Sequence, residues 1–151
     1  MPQDPIRILI VEARADPVLA DTLLASAKNA LAKAGAEFDV VTVPGALEIP
    51  AVVAMAEEGG HRPAGVRYDG FVALGCVIRG ESLHYGIAMG EVARALNDLA
   101  IGRRLAIGNG VLAVENTREA QAFASAGAGG AAARATLAVV DLKRKLLGHA
   151  R

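Results

Sequence analysis

Four times along this chain a short apolar run gives way to a stretch with helical spacing, and that alternation constrains the fold more than any other feature. Ile6 to Val11 is apolar except at Arg7, the pattern of a strand covered on both faces. Asp16-Pro17 then offers an N-cap and a first-turn proline, and Leu19, Leu23, Leu24, Ala27, Ala30 and Leu31 form one helical stripe. Gly35 stands where a helix end favours a residue free to take positive φ. Phe38–Val43 reads as a second strand ending at Pro44-Gly45, with a helix from about Ile49-Pro50 to Glu58. Phe71–Cys76 and a helix over Ala88–Leu99 form the third unit. Leu105–Leu112 is the fourth strand, followed by helices at about Arg118–Ser125 and Ala131–Leu147, with Gly127–Gly130 between them.

Strands and helices alternating in this way predict right-handed crossovers, hence a four-stranded parallel sheet with helices on both faces. Ligands of such α/β sheets bind beyond the carboxyl ends of the strands. The informative residues are therefore expected just after each strand, at Glu12–Ala15, Pro44–Glu48, Val77–His84 and from Asn109 onward. A length of 151 residues suits a single domain over 1–151.

Sixteen basic residues balance sixteen acidic ones, so no basic field argues for nucleic acid. No apolar run reaches the ~20 residues of a membrane span, and no signal peptide is expected at the N-terminus. The lone Cys76 suits a reducing, cytoplasmic setting, and no cluster of His, Cys, Asp and Glu has metal-ligand spacing. Hydrophobic residues reach 53% while aromatics are 3%, which reads either as close backbone packing with apolar surface to spare for an oligomer or as the mark of a GC-rich genome favouring Ala, Gly and Arg.

The stretch Ala73–His84 carries the densest chemistry. A strand runs through Gly75 and Gly80 toward a helix, a setting for an anion site, with Ser82 and a histidine at its end. His84 can move a proton near neutral pH; it reads equally as a cap or an exposed residue. Glu48 reads either as a first-turn glutamate favoured by the helix dipole or as a carboxylate meeting a polar ligand. Cys76 fits a small apolar residue at a strand end, and Asn109, between Gly108 and Gly110, fits a tight backbone or an amide offered to a ligand. Arg14 reads as a surface or interface charge. Walker-type and dinucleotide-type glycine motifs are missing.

Val43-Pro-Gly-Ala-Leu-Glu-Ile-Pro50, Leu74-Gly-Cys-Val-Ile-Arg-Gly-Glu81 with His84, and Gly108-Asn-Gly-Val-Leu-Ala-Val-Glu-Asn116 together resemble the lumazine synthase family, in order and spacing, from about Ile6 to Leu147. The resemblance implies a three-layer, flavodoxin-like α/β fold assembled into pentamers or an icosahedral shell of them. It implies a transferase of riboflavin biosynthesis that condenses 3,4-dihydroxy-2-butanone 4-phosphate with 5-amino-6-ribitylaminouracil, without metal or organic cofactor. Carried onto this sequence, it makes His84 the proton-transfer residue. Ala46, Leu47 and Glu48 then hold the ribityl chain, Cys76, Val77 and Ile78 lie along the pyrimidine, Glu81 and Ser82 cradle phosphate, and Asn109 contacts the pyrimidine substrate.

Several positions depart from the family pattern. Ala15 stands where an aromatic usually stacks on the uracil, Ser125 or a neighbour where an arginine usually grips phosphate, Ala128 where a lysine precedes the double glycine, and Gly90 where an asparagine precedes Glu91. Loss of the stacking and of the charged hydrogen bond is expected to weaken substrate binding by about two to three powers of ten. Arg118, Arg134 or a neighbouring subunit are the candidates to restore the charge. Two other readings therefore stand beside the enzyme: a remodelled homologue serving as a pentameric or shell-forming assembly protein, and a flavin-binding module.

Overall fold

The computed structural model describes residues 5–79 and 85–148. Four strands, β1 (Arg7–Ala13), β2 (Glu37–Val43), β3 (Gly70–Ile78) and β4 (Ala106–Val114), form one sheet in the spatial order β2-β1-β3-β4. Every pairing is parallel, and the register sets Glu12 of β1 between Thr42 of β2 and Leu74 of β3. The helices are α1 (Pro17–Lys33), α2 (Ile49–Gly59), α3 (Tyr85–Arg103), α4 (Thr117–Ser125) and α5 (Ala128–Leu147), with a 3-10 turn at Ala46–Glu48 ahead of α2.

Side chains alternate across each strand, so the sheet divides two cores. Ile8, Ile10, Val72 and Leu74 face α1, α4 and α5, meeting Leu23, Ala124 and Ala133 among others. Leu9, Val11, Phe71 and Ala73 face the opposite way, against Ile49 and Val53 of α2 and Val92 and Leu96 of α3. The result is the parallel sheet with helices on both faces expected from the alternation, in the three-layer, flavodoxin-like α/β arrangement that the family resemblance implies.

Local signals act as the sequence suggests at α1. The Asp16 carboxylate accepts hydrogen bonds from the backbone N–H of Val18 (3.0 Å) and Leu19 (3.2 Å), and Gly35 takes φ +75° after the helix. Elsewhere the boundaries differ. Helix α3 is longer than the Ala88–Leu99 its apolar stripe indicates, because periodicity marks only the turns that face the sheet; Ile87 and Ile101 are on exposed outer turns. Strand β4 starts after Leu105 and runs on to Val114, paired along its length with β3.

Of residues 127–130 only Gly127 lies between α4 and α5. Gly127 takes φ +97°, and Gly129 and Gly130 lie inside the first turn of α5. A Cβ on Gly129 would stand 2.1 Å from the Leu23 carbonyl oxygen of α1, so only glycine lets the two helices approach this closely. The Gly130 N–H donates to Ser26 Oγ at 2.9 Å across the same contact. Close backbone packing, expected from the small-residue content, is thus located between α1 and α5. Among the described residues no single helix is long and apolar enough to cross a membrane.

Candidate active site

From β1 the chain moves outward to β2, then crosses back to β3 and on to β4, so the direction of winding reverses between β1 and β3. Beyond the carboxyl ends of those two strands lies a cleft of about 570 Å³. Ala13 and Ala15 at the end of β1, the start of α1, Gly45–Glu48 and Gly75–Ile78 line it, with Ala88 of α3 and Thr117 of α4. A volume of this size lies within the range of pockets that take small organic ligands.

Each wall has a local cause. After β2, Pro44-Gly45 stops the strand and the chain tightens into the turn at Ala46–Glu48, whose Glu48 N–H donates to the Gly45 carbonyl at 3.1 Å. Glu48 Oε1 lies only 3.0 Å from where a Cβ on Gly45 would be, so the bare glycine makes room for that carboxylate. Ala46 is half-buried, and Leu47 is exposed at the mouth. On β3, Gly75 leaves the floor open: a side chain there would press on Ala13 Cβ at 3.3 Å. Cys76 and Ile78 are half-buried and Val77 is buried, all three on the cleft. The Arg79 guanidinium then ties the end of β3 to Glu115 beyond β4, donating at 3.1 Å.

The cleft gathers Ala46, Leu47, Glu48, Cys76, Val77 and Ile78, drawn from two distant segments. It does not include Asn109. That residue sits within the edge strand β4, opposite Ala73, and its side-chain oxygen accepts from the Val111 N–H at 2.9 Å. The flanking Gly108 has no positive φ; a Cβ there would stand 2.0 Å from the Ala132 carbonyl oxygen of α5, so the glycine serves helix–sheet contact. His84, Glu81 and Ser82 lie outside the described residues.

Electrostatically the described lining is one-sided. Its charged members are Asp16 and Glu48, with no lysine or arginine among them. Asp16 is committed to capping α1, while the first residues of α1 and α4 both border the cavity, where helix N-termini favour negative charge. Ser125 lies at the far end of α4 and accepts from Gln121 Nε2 at 3.2 Å, and Ala128 packs against the core beneath α5. Arg118 follows Thr117 at the cleft, whereas Arg134 lies further along α5 and outside the lining.

One feature escaped the sequence reading. Arg14, read as a surface or interface charge, is also paired within its own chain: its Nε donates to both oxygens of Glu12 (3.0 and 2.9 Å) and its Nη2 to Asp21 of α1 (2.6 Å). Glu12 itself is 4% exposed and also accepts from Thr42 Oγ1 at 2.7 Å. The signal was available in the sequence, since a carboxylate inside a buried strand requires a partner and an arginine two residues on shares its side of the chain.

Comparison with known proteins bears on this arrangement. The sequence model of the 6,7-dimethyl-8-ribityllumazine synthase family matches residues 5–144. The 6,7-dimethyl-8-ribityllumazine synthase 1 of Rhizobium meliloti (strain 1021) is 55% identical over 145 residues, covering 94% of both chains. The 6,7-dimethyl-8-ribityllumazine synthase of Agrobacterium fabrum is 55% identical over 144 residues, 93% of this chain and 97% of that one. Its counterpart in Methylorubrum extorquens (strain PA1) is 52% identical over 141 residues, 91% and 81% of the two chains. With nearly the whole chain matched on a parallel sheet whose switch point opens into a ligand-sized cleft, the chain belongs to the 6,7-dimethyl-8-ribityllumazine synthase family.

Proposed function

We propose that the chain, acting as one domain over residues 1–151, forms 6,7-dimethyl-8-ribityllumazine from 5-amino-6-ribitylaminouracil and 3,4-dihydroxy-2-butanone 4-phosphate, as a transferase of riboflavin biosynthesis in the cytoplasm. The observation that carries this reading is the convergence of Gly45–Glu48 and Gly75–Ile78 on one 570 Å³ cleft. Those are the two segments that the family resemblance gives to the ribityl chain and the pyrimidine ring. In this reading Glu48 and the backbone of Ala46 and Leu47 meet the ribityl hydroxyls, and Cys76, Val77 and Ile78 border the ring. Glu81 and Ser82 sit at the phosphate, and His84 moves protons as the amine adds to the ketone, phosphate leaves and the second ring closes with loss of water. Orientation of two bound substrates supplies much of the remaining rate.

The acidic character of the cleft's described lining supports a homo-oligomeric site. A phosphate-bearing substrate calls for a cation, and Asp16 and Glu48 supply none. Asn109, exposed on the edge strand and outside its own cleft, is then available to the cleft of an adjacent protomer, consistent with a pentamer or a multiple of pentamers. Mixing the purified protein with both substrates and following the lumazine chromophore tests the activity. Product at the spontaneous rate only, where a reference enzyme works, would overturn it and leave the assembly or flavin-binding readings, which yellow colour after flavin incubation separates.

A further inference from the structure

We infer that Arg14, held from beneath by the buried carboxylate of Glu12, is the positioning residue for the cleft wall at Ala15 and Asp16. The inference rests on the reading of the cleft as the substrate site and adds a residue pair to it.

Ala13 and Ala15 face the cleft, so Glu12 and Arg14 lie on the other side of the same segment. Glu12 is in the central strand pair of the sheet, 4% exposed, where an ionised carboxylate is costly unless it is paired and hydrogen-bonded. It is given three short contacts: two from Arg14 Nε, at 3.0 and 2.9 Å, and one from Thr42 Oγ1 on β2 at 2.7 Å. The same guanidinium reaches Asp21 on α1 at 2.6 Å. Arg14 therefore clamps the β1–α1 connection to the sheet below and to the helix beside it. Asp16 fixes the other end of that connection by capping α1.

Between these two anchors only Ala15 remains, and its small side chain faces the cavity with no bulk of its own to pack the wall in place. Position there has to come from behind. A planar guanidinium meeting a carboxylate with Nε and a second one with Nη2 fixes direction as well as distance, which an ammonium cannot reproduce. The clamp is thus expected to govern how tightly the pyrimidine side of the site is held, and not the proton-transfer steps.

Steady-state kinetics on the intact protein, varying each substrate, test this with Glu12→Gln and Arg14→Lys. Expected is a rise in KM for the ribitylaminouracil of about tenfold, with kcat and the KM of the butanone phosphate within about twofold. Amide hydrogen exchange across residues 13–18 should quicken in both variants while the interior of α1 is unchanged. The double variant should be no worse than Arg14→Lys alone, because Glu12 acts on the wall through Arg14. Should Glu12→Gln fail to fold, Asp21→Ala releases only the outer tether, at a carboxylate whose side chain is 72% exposed, and should give a smaller KM rise of the same kind. Unchanged exchange, quickened exchange with unchanged KM, or a fall in kcat alone each overturns the positioning role. If the wild-type protein makes no lumazine, the proposed function fails instead, and the exchange measurement still decides whether Glu12 and Arg14 hold the wall.

Discussion

The two ends of the sheet handle polar groups in opposite ways. At the amino edge, Arg7 reaches Glu37 (3.1 Å) and Asp39 (3.3 Å), and its backbone N–H donates to Asp69 at 2.8 Å. Tyr68 donates its hydroxyl proton to Asp39 at 2.7 Å, and Arg144 of α5 approaches Asp69 at 3.8 Å. The Tyr68 ring stands 6.1 Å from that of Phe71, between this network and the core. Partners there are drawn from β1, β2, the segment before β3, and α5, and a smaller cavity of about 270 Å³ borders the network at Tyr68, Asp69 and Arg144. At the carboxyl edge Ala13, Ala15, Ala46 and Gly75 leave volume open among larger lining side chains, and the well-paired group, Glu12 with Arg14, lies behind the cavity rather than in it. Polar groups that satisfy one another contribute to stability; a cavity with small walls is left for a ligand.

The contrast breaks if substitutions at one edge produce the other edge's effect. The largest change is expected from Ala46→Phe, which places a ring in the cleft: roughly a 100-fold loss of affinity for a ribityl-pyrimidine product analogue by calorimetry, with Tm nearly unchanged. A comparable fall in Tm would show that the cleft wall is part of the packed core.

At the other edge, Tyr68→Phe removes one hydrogen bond to a carboxylate and should cost about 1–2 kcal/mol in denaturant unfolding, with KM for both substrates unchanged. A shift in KM would show that the two edges are coupled.

The same network sets the pH range. The hydrogen bond from Tyr68 holds the Asp39 carboxyl below its ordinary value; burial opposes this and Arg7 adds to it. That contribution is present above the unfolded pKa and is lost as pH falls through the lower folded one, so Asp39→Asn should flatten the decline in stability below about pH 4. Tyr68 shifts the other way: burial, then its bond to Asp39, pushes its hydroxyl up to about 12. Its contribution holds below the unfolded pKa of about 10 and fades as pH climbs through the folded value, a decline that Tyr68→Phe should remove. Thermal unfolding measured from acid to alkali checks both windows.

The smallest effect sharpens the comparison from the cleft side. Ala15→Phe should tighten binding of the pyrimidine analogue by about two- to tenfold, the contribution of one stacked ring, with little change in Tm. No gain would mean that the wall at Ala15 does not face the ring.

Much of this was legible in the residues. Apolar runs alternating with helical stripes give the parallel sheet because each element can bury only one pattern of side chains, and the segments lining the cleft follow from where such sheets bind ligands. The N-cap at Asp16 and the left-handed Gly35 are local effects, written in a few adjacent residues. The boundaries of α3 and the glycines that open α5 were less legible, since exposed turns carry no periodicity and close helix contact leaves no mark except an absent Cβ. Asn109 was placed by motif, yet register and edge position put it outside its own cleft.

Sequence by itself determined the order of elements, the parallel sheet and the family, because these depend on side-chain pattern over short distances and on motifs kept in order. Tertiary structure alone decided that Arg14 reaches on from Glu12 to Asp21 of α1, that Gly129 meets the Leu23 backbone, and that the cleft's described walls lack a cation. Each of these joins elements whose relative position is fixed only when the sheet and its helices pack together.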